Sequence, residues 1–282
     1  MKNLSSSVCI IMVIYNNRFD LAGCLESVLK DPLGQNSRWV FVDNASTDNS
    51  IEKIYSCSFF NEKNSRIVRN QKNLGFAHAV NQGLKIGQKN FSPDYFLLLN
   101  PDTILKKNSF LNLFITAQEN GWALASPIIK DFCEKIWFDG GKINWWRLKT
   151  FHQKNALDYL SGCVLLIRRE VFSVIGFLDE RFFLYYEDAD FSLRARQAGF
   201  KIGLAKNSEV WHKESSSSNS QQKNYYLVRS GLLFFEKHSN FIQKYFWFWP
   251  IFVFRWFFHQ YFSKKRTVIQ ALQDFWKEKK EK

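Results

Sequence analysis

Val8–Tyr15 (VCIIMVIY) is an unbroken apolar, β-branched run, the pattern of a strand covered on both faces. Asn16-Asn17 end it, and Leu21, Cys24, Leu25, Val28 and Leu29 then recur at helical spacing. The alternation repeats. Trp39–Val42 predicts a second strand, Asp43-Asn44-Ala45-Ser46-Thr47-Asp48 supply turn and cap residues, and a helix opens near Ser50. Arg66–Arg69 reads as a short strand, and Asn73–Gly83 leads into a helix through Ala77, Val80 and Leu84. Tyr95–Leu99 reads as a buried strand and Phe110–Ala117 as a helix. The first 120 residues thus read β-α four times over, which calls for a parallel sheet with helices on both faces.

Past Gly121 the rhythm changes. Trp122–Ile129 and Tyr159–Ile167 read as strands, separated by an aromatic, basic stretch (Trp137–His152) containing Gly140-Gly141. Helices are expected at Glu170–Ile175 and from Ala189 to Gln197, the second closed by Gly199 as C′. Ser215–Asn224 (SSSSNSQQKN) is the one low-complexity segment and reads as a mobile loop, a candidate lid over a ligand. Phe241–Phe262 is mostly aromatic, yet Arg255 and Pro250 interrupt it and its aromatics do not form two belts. An interfacial helix or hairpin half sunk in lipid fits that pattern better than a spanning one, with Lys264-Lys265-Arg266 beside it. Docking on the chain's own domain or on a second subunit is the alternative. Val268, Leu272, Phe275 and Trp276 predict one more amphipathic helix. The expected division is a domain at 1–235 and a helical, membrane-surface tail at 236–282.

Charge refines this picture. The net charge is +13, and residues 241–282 hold nine Lys/Arg against three Asp/Glu, so nearly half the excess lies at the C-terminal end. A tail beside a membrane surface accounts for it. No recognition helix, zinc finger or RNA-binding aromatic signature is present, so a nucleic-acid partner is not expected. The five cysteines are scattered without metal-type spacing, as in a reducing compartment. Met1–Ser7 is short and polar, and Val8–Tyr15 is too short for export. A cytoplasmic protein, peripheral on the inner face of the plasma membrane, is the expectation.

Three carboxylates stand at the ends of apolar or aromatic runs, positions that converge on the carboxyl edge of a parallel sheet where ligands bind. Asp43 either accepts a hydrogen bond from a nucleobase or ribose, or caps a helix. No glycine-rich phosphate fingerprint follows the first strand, which disfavours a Rossmann or P-loop site. Asp102 follows Leu97-Leu98-Leu99-Asn100-Pro101 and suits Mg²⁺ or Mn²⁺ shared with substrate phosphates, or else caps a helix at Ile104–Leu113. Glu187-Asp188-Ala189-Asp190 opens a helix after an aromatic run, and one of its acids suits general-base work. His212 ends Val210-Trp211-His212 and is a candidate metal ligand.

Taken together, these stretches resemble the family 2 glycosyltransferases of GT-A fold, particularly their bacterial rhamnosyltransferase-like branch. The matching pieces are Val13-Ile14-Tyr15-Asn16, Val42–Asp48, Asn73-Leu74-Gly75-Phe76-Ala77 with Asn81 and Gly83, and Leu99-Asn100-Pro101-Asp102. Ser161-Gly162 and Gly176-Phe177-Leu178-Asp179-Glu180 through Gly199-Phe200 complete the set, in the family's order across about residues 8–235. The resemblance implies a mixed, mainly parallel α/β sheet flanked by helices, with the aromatic and basic helical tail appended.

It also implies roles. Ile14, Tyr15 and Asn16 would flank the nucleobase, Asp43 would bond its edge, and Asn73 and Gly75 belong to the same nucleotide-binding region. Asp102 matches the last acid of the family's metal motif, His212 resembles its third-strand metal ligand, and Asn100 stands where many relatives carry a first Asp. Asp188 is similar to the catalytic base, with Glu187 as the alternative. The activity implied is inverting, Mg²⁺- or Mn²⁺-dependent transfer of a sugar from a nucleotide-diphosphate donor to a glycan or polyprenyl-linked acceptor, in cell-wall or other cell-surface polysaccharide synthesis. On the acceptor side, Trp137, Trp145, Trp146 and His152 offer platforms for sugar rings, and Lys142 and Arg147 charge for a lipid-linked phosphate. Ser161 and Gly162 belong to the same side, and burial of the tryptophans in the core is the competing reading. A sugar-nucleotide nucleotidyltransferase and a non-catalytic membrane scaffold are the rival functions.

Overall fold

The computed structural model describes residues 6–57, 59–213, 220–258 and 266–280. Its first half is the expected alternation: β1 (Val8–Ile14), α1 (Leu21–Leu29), α2 (Pro32–Gln35), β2 (Arg38–Asp43), α3 (Ser50–Tyr55), β3 (Ser65–Arg69), α4 (Phe76–Phe91) and β4 (Tyr95–Leu99). Strands β3, β2, β1 and β4 lie side by side in parallel. Every residue of β1 and β4 is buried, as unbroken apolar runs require.

The second half adds β5 (Thr103–Leu105), α5 (Ser109–Asn120), β6 (Leu124–Lys130), β7 (Ile136–Phe138), β8 (Gly141–Asn144), β9 (Lys149–His152), β10 (Val164–Arg168), α6 (Glu170–Ile175), α7 (Glu187–Gln197) and β11 (Ile202–His212). The sheet order is β3-β2-β1-β4-β10-β6-β11-β5, with β7 against β6 and a separate β8–β9 hairpin. β10 is antiparallel to both its neighbours, and β5 is antiparallel to β11. The sheet is therefore mixed and mainly parallel, the GT-A architecture.

Leu99 and Thr103 are four residues apart, a reach of about 14 Å. Yet β4 and β5 are four strand spacings apart in sheet order, about 19 Å if the sheet were flat. The sheet must curl back on itself, and that curl delivers the segment between them to the end of β11. It also removes one option for Asp102. Thr103–Leu105 is a strand and the next helix starts at Ser109 behind Asn108, so Asp102 caps no helix.

Ser215–Asn224 departs from the loop expected there. Residues 215–219 lie outside the described residues, but Ser220–Asn224 form the start of α8 (Ser220–His238). Packing overrides the polar composition: Tyr226, Ser230, Leu233 and Phe234 follow one another at helical spacing. Tyr226 stacks on Phe183, Phe234 packs on Tyr186, and Ser230 and Phe234 are fully buried.

The C-terminal segment comprises α9 (Phe241–Gln243), a π-turn (Lys244–Phe248), α10 (Trp249–Phe258) and α11 (Arg266–Lys280). The π-turn directly precedes Pro250, whose ring removes a regular helical donor. Phe248, Phe252 and Phe275 bury against one another, while α11 meets α8 through Tyr225–Asp274 and Arg229–Glu278 pairs. Phe246 is nevertheless 72% exposed and Phe254 67%. The aromatic tail thus docks on its own domain along one side and shows aromatic rings on another. No helix among the described residues is long and apolar enough to cross a membrane.

Candidate active site

A groove runs along the carboxyl edge of the sheet. One half is lined by Val13, Tyr15, Asn17, Asn44, Asn73 and Gly75. The other half is lined by Ser161, Gly162, Glu187, Asp188, His212 and Trp137. Phe76, Asn100, Asp102, Leu184 and Lys223 border both halves, so the two are continuous.

The first half is built by short polar loops. Asn44 receives the backbone N–H of Leu74 on its side-chain oxygen (3.1 Å) and donates its amide to Asn73 Oδ1 (2.8 Å), which ties the end of β2 to the loop before α4. Gly75 has φ +88° and ψ 163°, a conformation open essentially to glycine alone. Phe76 N–H donates to Phe183 O at 2.7 Å, and a Cβ on Gly75 would stand 2.7 Å from that same oxygen. Glycine is what lets the loop before α4 touch the loop that leads to Glu187 and Asp188.

Of the sequence-based nucleotide candidates, Tyr15, Asn73 and Gly75 line the groove, whereas Ile14, Asn16 and Asp43 do not. Ile14 is fully buried in β1, and Asn16 Oδ1 accepts the Thr47 N–H at 2.8 Å. Asp43 is buried, accepts the Ser46 N–H at 2.9 Å and faces Arg69 at 3.6 Å. It caps this turn, not the helix α3 that follows Asn49.

At the junction, Asp102 and His212 come together across 110 residues. The β5–β11 register sets His212 opposite Thr103, and Lys213 N–H donates to Asp102 O at 2.9 Å. His212 Nε2 then lies 3.4 Å from Asp102 Oδ1. Both side chains are buried, and Asp102 Oδ1 has no hydrogen-bond partner. An orphaned carboxylate oxygen facing an imidazole nitrogen suits a divalent ion. Among the described residues no cluster of three His, Cys, Asp or Glu ligands exists, so such an ion would take its other ligands from substrate phosphate and water.

Glu187 and Asp188 open α7 behind Tyr185 and Tyr186, both held at φ +68°, left-handed geometry that bulky residues rarely adopt. Asp188 Oδ2 accepts the Gly162 N–H at 2.9 Å and Oδ1 its neighbour Ala189's at 2.7 Å. Glu187 Oε2 is buried with no partner. Burial raises the pKa of both, and the Asp188 charge raises that of Glu187 further. Glu187 is pushed well above the usual carboxylate range, whereas at Asp188 the Gly162 and Ala189 N–H donors favour the charged form and offset part of the effect of burial.

Asp190, third in the cluster, faces away from this chemistry. It is fully buried and pairs with Arg194 (2.8 Å), Lys237 (2.6 Å) and His238 (2.7 Å), which together lower its pKa against the burial that would raise it. It fastens α7 to α8.

The acceptor-side candidates divide. Ser161 and Gly162 line the groove, but Trp145, Trp146 and Arg147 do not. Trp145 packs on Phe234 and Phe235, the Trp146 carbonyl accepts the Trp247 indole N–H at 2.6 Å, and the Arg147 carbonyl accepts from Arg255. That hairpin is occupied by the C-terminal segment. Trp137 is the tryptophan that reaches the groove, its ring 4.8 Å from that of His212. Lys142 pairs with Asp158 at 3.3 Å.

Several lining residues gave no usable signal in the sequence. Asn17 and Asn44 look like ordinary turn residues, and Gln222 and Lys223 fall in the segment read as a loop. Phe183, Leu184 and Tyr226 look like core.

The family model described as Glycosyl transferase family 2 matches residues 9–176. Agl10 of Haloferax volcanii, a low-salt glycan biosynthesis hexosyltransferase, is 25% identical over 223 residues, covering 76% of this chain and 69% of that protein. The N-acetylglucosaminyl-diphospho-decaprenol L-rhamnosyltransferase of Mycobacterium tuberculosis is 25% identical over 214 residues, covering 64% of this chain and 67% of that one. Among solved structures, the mannosyltransferase PcManGT of Pyrobaculum calidifontis, in complex with GDP-Man and Mn²⁺, superposes with a TM-score of 0.62 at 13% identity, over 96% of this chain and 74% of that one. With the family model covering more than half of its length, the chain belongs to glycosyl transferase family 2.

Proposed function

We propose that this glycosyltransferase moves a sugar, a rhamnosyl residue in our reading, from a nucleotide-diphosphate donor to a glycan or polyprenyl-linked acceptor, with inversion at the anomeric carbon. The observation that carries the reading is the continuity of the groove: the Asp102–His212 pair and the Asp188 carboxylate border one cavity. The relative from M. tuberculosis, named for rhamnosyl transfer to a diphospho-decaprenol-linked sugar, motivates the choice of sugar and acceptor.

In this mechanism the nucleoside occupies the half lined by Tyr15, Asn17, Asn73 and Gly75, with Asp43 and Asn16 bracing the turn at Ser46 and Thr47 through their backbone N–H groups. Asp102 and His212 would hold Mg²⁺ or Mn²⁺, which when bound stabilises negative charge on the departing diphosphate as a Lewis acid. Asp188, ionised beside Gly162, takes the proton of the acceptor hydroxyl as that oxygen attacks the anomeric carbon from the face opposite the diphosphate. Glu187, kept neutral by burial, leaves Asp188 as the lone negative charge at that end. Direct displacement needs no enzyme nucleophile and inverts the centre.

The test is a panel of nucleotide sugars with a polyprenyl-diphosphate-linked acceptor and Mn²⁺, read as acceptor-dependent release of nucleoside diphosphate. Release with at least one donor, suppressed by EDTA and restored by Mn²⁺, is expected. Sugar-nucleotide synthesis from a nucleoside triphosphate and a sugar phosphate would replace this reading with the nucleotidyltransferase, and inertness toward every donor would favour a scaffold.

The exposed rings of Phe241, Phe246 and Phe254, with Arg266 and the basic residues before it in sequence, support peripheral attachment to an anionic membrane surface where a lipid-linked acceptor resides.

A further inference from the structure

Among the described residues, Lys223 is the one Lys or Arg that lines either half of the groove. It borders both halves at the junction it shares with Asn100 and Asp102, and it is half-buried. Its place follows from the register of α8. Tyr226 lies one turn further along the same helix face and stacks on Phe183, centroids 4.6 Å apart and planes 11° from parallel. One turn beyond, the Ser230 hydroxyl donates to the Leu184 carbonyl at 2.8 Å. These two fasteners fix the rotation of the helix about its axis. Tyr225 and Arg229 bind Asp274 and Glu278 of α11, which holds α8 from another side. The loop carrying the catalytic acids and the helix carrying Lys223 are thereby one unit.

The groove is otherwise poor in positive charge. Its lining carries Asp102, Glu187 and Asp188, and Arg69 is engaged with Asp43 outside the lining. A nucleoside diphosphate sugar brings two anionic phosphoryl groups to this acidic cleft. We propose that Lys223 is the protein's cation for the donor diphosphate, holding its phosphoryl oxygens at the junction and stabilising them as the nucleoside diphosphate departs. In that step the bond from the anomeric carbon to the β-phosphoryl oxygen breaks with its electron pair going to that oxygen. The acceptor oxygen forms the new bond and passes its proton to Asp188, while Lys223 keeps its protons throughout. The inference rests on the donor reading of the groove.

The experiment compares nucleotide binding to the full chain and to Lys223→Met and Lys223→Arg by calorimetry, using dTDP, UDP and GDP, each against its monophosphate. A charge-assisted contact to phosphate predicts that Lys223→Met weakens diphosphate binding about 10- to 100-fold. Binding of the monophosphate should change far less, and Lys223→Arg should keep most of the diphosphate preference. Equal losses for mono- and diphosphate, or an unchanged preference in Lys223→Met, would overturn the assignment while leaving the donor reading standing. If the unaltered chain binds none of the three diphosphates, the donor reading falls and takes this inference with it.

Discussion

Glu187 and Asp188 are neighbours in sequence and share one cavity, yet isosteric amides should affect them in opposite ways. Asn at position 188 matches the volume of Asp and can still accept the Gly162 N–H through its oxygen, so donor binding should persist. What it loses is the proton acceptor, worth about 10²–10⁴ in turnover. That corresponds to about 2.7–5.5 kcal/mol of barrier at about 1.36 kcal/mol per decade. Glu187→Gln replaces a group already held neutral by burial and by the Asp188 charge, so turnover near the optimum should stay within about one decade. The pH profile adds a sign. The base must be deprotonated, so kcat rises with pH through the raised Asp188 pKa and levels off above it. Gln at position 187 stands in for a group already uncharged there, so in Glu187→Gln the acid limb should stay close to its wild-type position. The assay is steady-state release of nucleoside diphosphate across pH, with donor KM measured alongside. An inactive Glu187→Gln beside a near-normal Asp188→Asn would refute the assignment and move the base to Glu187.

Asp190→Asn should destabilise the chain by about 3–5 kcal/mol, because Arg194, Lys237 and His238 lose a buried counter-charge; chemical denaturation reads this directly. Since folding lowers the Asp190 pKa, its contribution is complete above the unfolded value near 3.9 and disappears as pH falls through the lower folded value, a loss the variant should lack. Gly75→Ala should cost about 1–3 kcal/mol from backbone conformation alone, with further loss from the clash at Phe183 O, and should weaken nucleotide binding. Wild-type stability and binding in that variant would contradict the close approach described above. Phe246→Ser with Phe254→Ser should reduce sedimentation with anionic phosphatidylglycerol vesicles while leaving transfer to a water-soluble acceptor analogue intact. Unaltered vesicle binding would count against attachment through these rings.

The alternating first half was legible because fully buried parallel strands have to be continuous apolar runs; β4 at Tyr95–Leu99 and β1 at Val8–Ile14 carry little else. Asp102, His212 and Asp188 were legible for a related reason, as polar residues ending such runs. What periodicity missed depends on partners distant in sequence. Ser220–Asn224 is polar and low in complexity, and it is helical because Tyr226, Ser230 and Phe234 behind it pack on Phe183, Leu184 and Tyr186. Trp145 and Trp146 resembled sugar platforms, but their neighbours are Phe234, Phe235 and Trp247, which lie about 90–100 residues onward. The docked alternative describes one side of the tail helices; the other side shows exposed rings, on which the proposal of membrane attachment rests.

The curl that brings Asp102 to His212 has a consequence for how the chain acquires its activity. The four parallel strands on one side of the sheet are complete once Leu99 has been made, β1 pairing with β4 through Val8 and Tyr95. The junction closes a loop of about 110 residues between β5 and β11, with β10 and β6 inserted between β4 and β11. Contacts of such long range form late and slowly. During synthesis, the parallel strands should therefore pair before Asp102 meets His212 and before Phe183 and Lys223 complete the groove. Both halves of the groove draw lining residues from beyond residue 180, so the groove takes its shape only when the last part of the fold has closed over the early strands.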